Sequence, residues 1–344
     1  MKVLMTSERL PPNRGGLSTV AQILISGLVK NGHTLHLATT EIDGPEKIDG
    51  VGVLRLQGPI AWISYFRTLR TVDVVLQNNI SLKTIWLPFL LRKKIVVSLH
   101  IWVESHSGRI TWREKVKIAV LRRITSVVSP NREMFTRSGI KGEFLANGYD
   151  DEIFLETASI ENRIDGFICV ARLVEDKGVS QLIHAFSNIA ELIPSYTLTI
   201  IGEGPERNSL EESVQSNNLQ NRIFFKGAMN PLEVSRELNQ NRFMVVPSLC
   251  DEIFGLVTLE GLACGLPTIV TNHKGLLEAQ SGFGKVVELG EQFVNQLESQ
   301  MLEFAKNPSQ TQNLMLESAS YLETRNKAAM IAGYEKVLEN AIHA

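Results

Sequence analysis

The stretch from Val245 to Thr271 constrains the fold of this 344-residue chain more than any other part of its sequence. It begins within a short apolar run that Pro247 ends, which is typical of a buried parallel strand. Its middle has the length of a helix, and Gly265 and Pro267 give the stop signal. The predicted order is strand, loop, helix, turn and strand, at residues 243–246, 248–251, 256–264, 265–267 and 268–271. This order indicates an α/β fold.

Two glutamates flank the predicted start of this helix, Glu252 in the loop and Glu260 on the helix, with seven residues between them. The backbone N–H groups of Phe254, Gly255 and Leu256 are positioned at the helix start, where unpaired donors and partial positive charge bind phosphate. Glu260 can accept hydrogen bonds from a ribose diol, and Glu252 can reach a second polyol beyond the phosphates. The pattern therefore indicates a nucleotide sugar, although a surface loop with an ordinary acidic helix start is the simpler alternative.

The segment PS…E-IFGLVTLEGLACGLPTIV, with its E-x7-E spacing, closely resembles the retaining nucleotide-sugar glycosyltransferases of family 4, also called group 1. The resemblance covers nearly the whole chain. It implies the GT-B fold, an α/β architecture of two Rossmann-like domains whose parallel sheets face a cleft. It also implies a C-terminal helix that crosses back to the N-terminal domain. It identifies neither the donor nor the acceptor.

The domain boundaries follow from this resemblance and from the alternation of apolar strands with helical stretches. Residues 1–155 are predicted to form the N-terminal domain, on the acceptor side, and residues 165–325 the C-terminal domain, on the donor side. The final helix, 326–344, is predicted to pack against the N-terminal domain. The polar stretch 156–165 is the predicted linker.

The N-terminal half contains four residues that the resemblance assigns to the site. Gly15 and Gly16 open the first helix, and the resemblance implies that they pack against the donor diphosphate; a tight turn is the alternative. His100 ends a strand, where open α/β sheets bind ligands, and the resemblance implies contact with the donor sugar; a packing role is the alternative. Asn147 begins the segment NGYDDEIF, which resembles a family segment near the cleft.

The C-terminal half contains a cation pair and two glycine turns. Arg172 and Lys177 follow a strand and could clamp a diphosphate, and the family has the same R-x4-K pair; a solvated turn is the alternative. Gly202 belongs to a GEGP turn, which by resemblance lines the nucleotide end of the cleft. The missing third glycine argues against an NAD site. Gly227 and Met229 lie in a turn that would border the base through backbone groups.

The predicted activity is retaining, metal-independent transfer of a hexose from a nucleotide sugar, UDP-linked by family precedent, to a hydroxyl of a glycan or lipid-linked acceptor. The predicted catalytic residues are His100, Arg172, Lys177 and Glu252. No Asp-x-Asp triplet occurs, so neither a metal nor another cofactor is expected, and the cations neutralise the leaving diphosphate. Two alternatives stay open: a sugar-nucleotide epimerase of the same fold and a non-catalytic nucleotide-sugar binding protein.

The charge is unevenly distributed. Residues 1–150 contain 21 Lys and Arg against 11 Asp and Glu, whereas residues 151–344 contain 14 against 26. Two basic and aromatic stretches, 82–94 and 108–123, predict peripheral contact with an anionic membrane; surface helices that cover the sheet are the alternative. No motif for nucleic-acid binding accompanies this charge. Three cysteines without C-x-x-C spacing, and no 18-residue apolar run, predict a cytoplasmic protein, at most peripheral on the inner membrane face.

Overall fold

The computed structural model describes residues 1–13, 15–104 and 110–344. Residues 108 and 109, at the start of one predicted basic stretch, therefore lie outside the described residues. The chain divides into two compact units, Met1–Gly148 with Arg325–Ala344, and Tyr149–Thr324, which we call unit 1 and unit 2.

Unit 1 is built on an eight-stranded sheet. Its strands are β1 (Lys2–Ser7), β2 (Thr34–Thr39), β3 (Lys47–Ile48), β4 (Val51–Arg55), β5 (Val74–Asn78), β6 (Lys94–Ser98), β7 (Ser126–Ser129) and β8 (Glu143–Phe144). They lie in the order β3-β4-β2-β1-β5-β6-β7-β8, and every neighbouring pair is parallel except β3 and β4. The strand order reverses direction between β1 and β5, which makes this the topological switch point of unit 1.

Helices cover both faces of this sheet. They are α1 (Gly16–Lys30), α2 (Gly58–Thr71), α3 (Leu82–Leu90), α4 (Trp112–Leu121), α5 (Glu133–Ser138) and the C-terminal helix (Lys327–His343). The C-terminal helix shares a core with α1, to which it contributes Met330, Tyr334 and Leu338. Crossover connections between parallel strands are right-handed, so the direction in which the chain moves along the sheet decides which face a helix covers. Helix α1 connects β1 to β2 in one direction, whereas α2, α3 and α4 connect strands in the opposite direction. These three helices therefore lie on the other face of the sheet.

Unit 2 is built on six parallel strands. These are β9 (Ile164–Val170), β10 (Thr197–Ile201), β11 (Ile223–Phe225), β12 (Asn241–Val246), β13 (Thr268–Thr271) and β14 (Gly284–Val287), in the order β11-β10-β9-β12-β13-β14. Phe243 and Val245 of β12 pack in one core, and Met244 and Val246 pack in another. Both faces of the sheet are thus buried, which explains the unbroken apolar run of β12 in the sequence.

The helices of unit 2 alternate with these strands. They are α6 (Val179–Ile189), α7 (Arg207–Ser216), α8 (Pro231–Gln240), α9 (Leu256–Ala263), α10 (Lys274–Gln280), α11 (Phe293–Lys306), α12 (Pro308–Asn313) and α13 (Ser318–Glu323). The predicted helix 256–264 corresponds to α9. The chain runs from β9 through β10 to β11, then returns to β12 on the opposite side of β9. The switch point of unit 2 therefore lies between β9 and β12.

The boundary between the units differs from the predicted one. The division falls after Gly148 rather than after residue 155, because Tyr149 and Phe154 pack in a core of unit 2. The segment 156–165 also packs on unit 2 instead of forming a free linker. The buried guanidinium of Arg163 donates to the carbonyl oxygens of Ala158 at 2.7 Å and Cys264 at 2.8 Å, which anchors this segment.

Candidate active site

The predicted donor-side residues of unit 2 lie where its strands end. Arg172 follows β9, Gly202 follows β10, Gly227 follows β11 and Glu252 follows β12. Because all six strands are parallel, these four positions share the carboxyl edge of one sheet. Ligands of open α/β sheets bind at this edge, beside the switch point.

The loop after β12 is hydrogen-bonded to the turn that contains Lys177. The backbone N–H groups of Leu249 and Cys250 donate to the carbonyl oxygen of Asp176 at 2.8 and 3.1 Å. Lys177 Nζ donates to Glu252 Oε1 and lies 3.4 Å from Cys250 Sγ. Burial alone would lower the pKa of Lys177, but the neighbouring Glu252 carboxylate and Cys250 outweigh it and raise the pKa. The structure thus brings two predicted catalytic residues into direct contact.

Arg172 differs from Lys177 in its surroundings. Its side chain is exposed, and it makes no ion pair or side-chain hydrogen bond with the residues that the structure describes. A guanidinium keeps its charge at every relevant pH and presents a planar fork of donors. Arg172 is therefore available to an anionic ligand at the end of β9.

Two polar residues that the sequence did not single out hold Glu252 in position. The Ser248 hydroxyl donates to Glu252 Oε1 at 2.9 Å. His273 Nε2 in turn donates to the carbonyl oxygen of Ser248 at 3.1 Å, and Asp251 Oδ1 lies 3.9 Å from His273 Nδ1. Ser248 follows Pro247 directly, so the Pro-Ser pair before Glu252 is the signal that could have identified it.

Gly255 shapes the start of α9. Its φ of +67° lies in the left-handed region, and a Cβ atom there would stand 2.3 Å from Leu276 Cδ2. Within the described part of the chain, the N–H groups of Phe254, Gly255 and Leu256 donate to no backbone carbonyl or side chain. The start of α9 therefore offers the unpaired donors that the sequence predicted.

Glu260 occupies the next turn of α9. Its side chain is half-buried and has no hydrogen-bond or ion-pair partner among the residues described in the structure. Burial raises the pKa of this carboxyl from 4.5 to about 8. A carboxyl group that lacks a partner in such a setting can bind hydroxyl groups of a ligand.

The two glycine turns that follow β10 and β11 pack closely against each other. Gly202 N–H donates to the carbonyl oxygen of Gly227 at 2.8 Å. A Cβ atom on Gly202 would stand 1.8 Å from the carbonyl oxygen of Ala171, so only glycine fits beside the end of β9. Met229 lies in the following turn and packs against the core that contains Met244. These turns form the border of the sheet edge next to Arg172.

In unit 1, Gly15 and Gly16 form the start of α1 at the switch point. Gly15 has a φ of +123°, and a Cβ atom on either glycine would meet no atom within 4 Å. Asn78, at the end of β5, donates through Nδ2 to Ser7 Oγ at 3.1 Å and to the carbonyl oxygen of Leu17 at 3.0 Å. Asn78 thereby ties β1, β5 and the first turn of α1 together, a role that no sequence pattern indicated.

His100 lies two residues after β6 and is held by the C-terminal helix. Its Nε2 is 2.7 Å from Ser98 Oγ, and the same hydroxyl is 2.5 Å from Tyr334 Oη. Burial lowers the pKa of His100 to about 4, so the imidazole is neutral at physiological pH. Its buried Nδ1 has no partner among the described residues. Contact between His100 and a donor sugar stays a prediction.

Asn147 lies between β8 and the boundary of unit 1. Its side chain is buried, and Oδ1 has no hydrogen-bond partner within the described ranges. The next residue, Gly148, donates its N–H to Met330 Sδ at 3.1 Å, which fixes this segment on the C-terminal helix. The structure therefore places Asn147 in unit 1 together with Gly15, Gly16 and His100.

The residues that the structure describes offer neither a cluster of metal-ligating side chains nor a helix able to span a membrane. No group of three or more His, Cys, Asp or Glu side chains among them could hold a metal ion. Within the same ranges, no helix combines the length and apolarity that crossing a bilayer requires. That the reaction needs no metal stays a prediction.

Known proteins resemble this chain in sequence and in fold. An uncharacterized glycosyltransferase of Methanocaldococcus jannaschii is 24% identical over 323 residues, covering 81% of this chain and 82% of the relative. A GDP-mannose-dependent alpha-(1-6)-phosphatidylinositol monomannoside mannosyltransferase of Mycobacterium tuberculosis is 24% identical over 326 residues, covering 80% and 82%. The structure of Anabaena HepE in complex with UDP and glucose has a TM-score of 0.82 at 18% identity, covering 98% of this chain and 99% of that chain.

The two units with largely parallel sheets and this structural likeness show the GT-B fold, which confirms the predicted fold class. Residues 157–283 match the family described as glycosyl transferases group 1. This region contains Arg172, Lys177, Glu252 and Glu260. The predicted resemblance is thereby confirmed, whereas the role of each site residue stays a prediction.

Proposed function

We propose that this enzyme is a retaining, metal-independent hexosyltransferase that uses a UDP-sugar and a hydroxyl of a glycan or lipid-linked acceptor. The arrangement at the carboxyl edge of unit 2 carries this proposal. An exposed arginine, a lysine–glutamate pair and the open start of α9 follow neighbouring strands, and the unpartnered Glu260 lies one turn further. Glu252 matches a sugar hydroxyl, the two cations and the start of α9 match a diphosphate, and Glu260 matches a ribose.

The leaving diphosphate is the group that most needs stabilisation in this reaction. Arg172 and the backbone N–H groups at the start of α9 would neutralise its developing charge, and Lys177 would add a point charge. Because Lys177 contacts Glu252, a sugar hydroxyl bound by Glu252 would lie next to the reacting diphosphate. Lys177 and the start of α9 are held in place before the reaction begins, and the exposed Arg172 can reach the same anion.

Retention requires bond formation and bond breaking on the same face of the sugar. In the proposed step, the bond between the anomeric carbon and the diphosphate oxygen breaks through an oxocarbenium-like transition state. The acceptor oxygen bonds to the anomeric carbon on that face, and its proton passes to the departing phosphate oxygen. No carboxylate of the described site is assigned as a covalent nucleophile in this scheme.

Two relatives bear on the donor and acceptor. HepE, which shares the fold, was solved with UDP and glucose, and this supports a UDP-sugar donor. The Mycobacterium tuberculosis relative is named as GDP-mannose-dependent and acts on a phosphatidylinositol mannoside, so GDP is the main competing nucleotide. The same relative supports a lipid-linked acceptor.

A thermal-shift screen of UDP-, GDP- and ADP-sugars tests the donor. A ligand at about a hundredfold its Kd stabilises the folded protein by about 2.7 kcal/mol, which is readily measured. UDP-sugars are expected to stabilise most. Slow release of nucleoside diphosphate without acceptor, in which water takes up the sugar, then tests donor cleavage, and NMR of the anomer formed before it mutarotates tests retention. An inverted product would contradict the proposed mechanism, and no release from any donor would contradict the activity.

A further inference from the structure

Helices α2 and α3 form an exposed apolar surface on unit 1. Two contacts show that the helices lie side by side. The Tyr65 hydroxyl of α2 donates to the carbonyl oxygen of Thr84 in α3 at 3.1 Å, and the ring centroids of Trp62 and Trp86 are 5.9 Å apart. Large apolar side chains on these two helices are exposed to solvent. They are Ile60, Ile63, Phe66, Trp86, Phe89 and Leu90, which we name the α2–α3 patch.

The patch is the outer side of helices whose inner side already covers the sheet. In α2, Tyr65 and Leu69 are fully buried, whereas Ile60 and Ile63 are 79% and 51% exposed. Residues 60, 63 and 66 are three apart and therefore share one helix face. A surface helix that needs only to cover a sheet has a polar outer face. The outer apolar stripe of α2 is therefore not required by the packing of unit 1.

Helix α4 extends this surface. It lies on the same face of the sheet as α2 and α3, since all three follow right-handed crossovers in the same direction. It begins with a capping box in which Thr111 and Glu114 bond to each other's backbone N–H groups. Trp112, in its first turn, is 68% exposed, and Val116 is also exposed. Apolar side chains thus point outward from three consecutive helices.

The surface is positively charged. Residues 58–94 contain six Lys and Arg and one acidic residue, Asp73, which accepts a hydrogen bond from the Lys2 backbone at 2.6 Å. Residues 110–124 contain five Lys and Arg and one acidic residue, Glu114. Cations also stand among the apolar side chains, since the Arg70 guanidinium lies 6.0 Å from the Phe66 ring centroid.

This combination fits one partner better than others. Tryptophan and long apolar side chains enter the interfacial region of a bilayer, and cations bind the phosphates of anionic lipids. A second copy of this chain would instead bring the same positive charge against itself, which is unfavourable. The complementary partner is a layer with an apolar interior and a negatively charged surface.

We propose that the α2–α3 patch, extended by the exposed side of α4, docks unit 1 onto an anionic lipid bilayer. The inference goes beyond transferase activity, and it requires no donor or acceptor in the site. Docking is peripheral and reversible, because the contact consists of exposed side chains and surface charge.

Vesicle co-sedimentation of the full chain tests the proposal. Vesicles of phosphatidylcholine alone are compared with vesicles that contain a quarter phosphatidylglycerol, at rising salt. Binding to the anionic vesicles should be at least about tenfold stronger and should weaken with salt, because each cation near the surface contributes and is screened. Two double variants test the two contributions. Trp86→Ser/Leu90→Ser and Arg67→Glu/Lys83→Glu should each lower the coefficient for partition onto anionic vesicles by at least about tenfold.

Matched variants in unit 2 serve as controls. Leu192 and Leu316 are exposed leucines, and Arg236 and Lys306 are exposed cations without a partner among the described residues. Leu192→Ser/Leu316→Ser and Arg236→Glu/Lys306→Glu should retain vesicle binding. Equal binding to both vesicle types, or equal loss in patch and control variants, would overturn the proposal. So would light scattering that shows a dimer which only the patch variants dissociate, since a second copy would then cover the patch.

Discussion

The affinity of this enzyme for a nucleotide sugar should rise with pH between 7 and 8, because of Glu260. Burial raises the pKa of this carboxyl to about 8, so it is mostly protonated at pH 7. A ribose diol donates two hydrogen bonds, and an ionised carboxylate accepts them best. If the diol binds Glu260, the ligand favours the ionised form, and binding at pH 7 releases a proton.

The size of the effect follows from the pKa. With a pKa of about 8, roughly one carboxyl in eleven is ionised at pH 7 and one half at pH 8. A ligand that binds only the ionised form is weakened by this fraction, so its affinity should increase about fivefold over this interval. This increase corresponds to about 1 kcal/mol of binding free energy.

Isothermal titration calorimetry measures both quantities. The nucleotide sugar that stabilises the protein most is titrated at pH 7.0, 7.5 and 8.0 in buffers of different ionisation enthalpy. The diphosphate of a nucleotide sugar is esterified at both ends and does not titrate in this range, unlike that of free UDP. The dependence of the heat on the buffer gives the number of protons released, which should approach one per ligand at pH 7.

Glu260→Gln is the matched control, since the amide has nearly the same shape and cannot ionise. It should bind more weakly, by about 1 to 3 kcal/mol at pH 8, and its affinity should not change between pH 7 and 8. Wild-type affinity that is constant or falls with pH, or proton uptake on binding, would refute the assignment of Glu260 to the diol. The same pH dependence in Glu260→Gln would assign it to another group.

Three further predictions concern the same site. Arg172→Ala should lower kcat/KM by about two to three powers of ten because it removes a charged contact to the leaving diphosphate, and steady-state rates within about twofold of wild type would contradict this role. Glu252→Gln should impair transfer while calorimetry shows nearly normal UDP affinity; a loss of UDP affinity without a loss of transfer would reverse the order of sugar and ribose. EDTA should leave the initial rate unchanged, and a loss that Mn²⁺ or Mg²⁺ restores would show that a metal neutralises the diphosphate.

Local sequence determined the secondary structure around the site. The apolar run that Pro247 ends and the stop signal at Gly265 predicted β12 and α9, and the structure has them at Asn241–Val246 and Leu256–Ala263. Strand ends of a parallel sheet share one edge, so the positions of Arg172 and Glu252 after two strands sufficed to bring them to it. These predictions succeeded because they depend on neighbours in sequence and on a regular sheet.

Contacts between distant segments could not be predicted in this way. Ser98 and Tyr334 are 236 residues apart, yet their hydroxyl groups are in contact, and together they hold His100. The boundary at Gly148 was also missed, because the polar segment after it resembles a linker until the buried Arg163 anchors it on unit 2. Each of these outcomes depends on which partner lies across the fold, and sequence spacing carries no information about that.

The surface of unit 1 shows the same division. The sequence indicated the basic and aromatic character of residues 82–94 and 108–123, because charge and residue type are properties of composition. It did not indicate that α2 presents Ile60 and Ile63 outward beside Trp86, since a helix with apolar residues on two sides has no evident inner face. Only the packing of Tyr65 and Leu69 against the sheet decided which side of α2 is buried and which side is exposed.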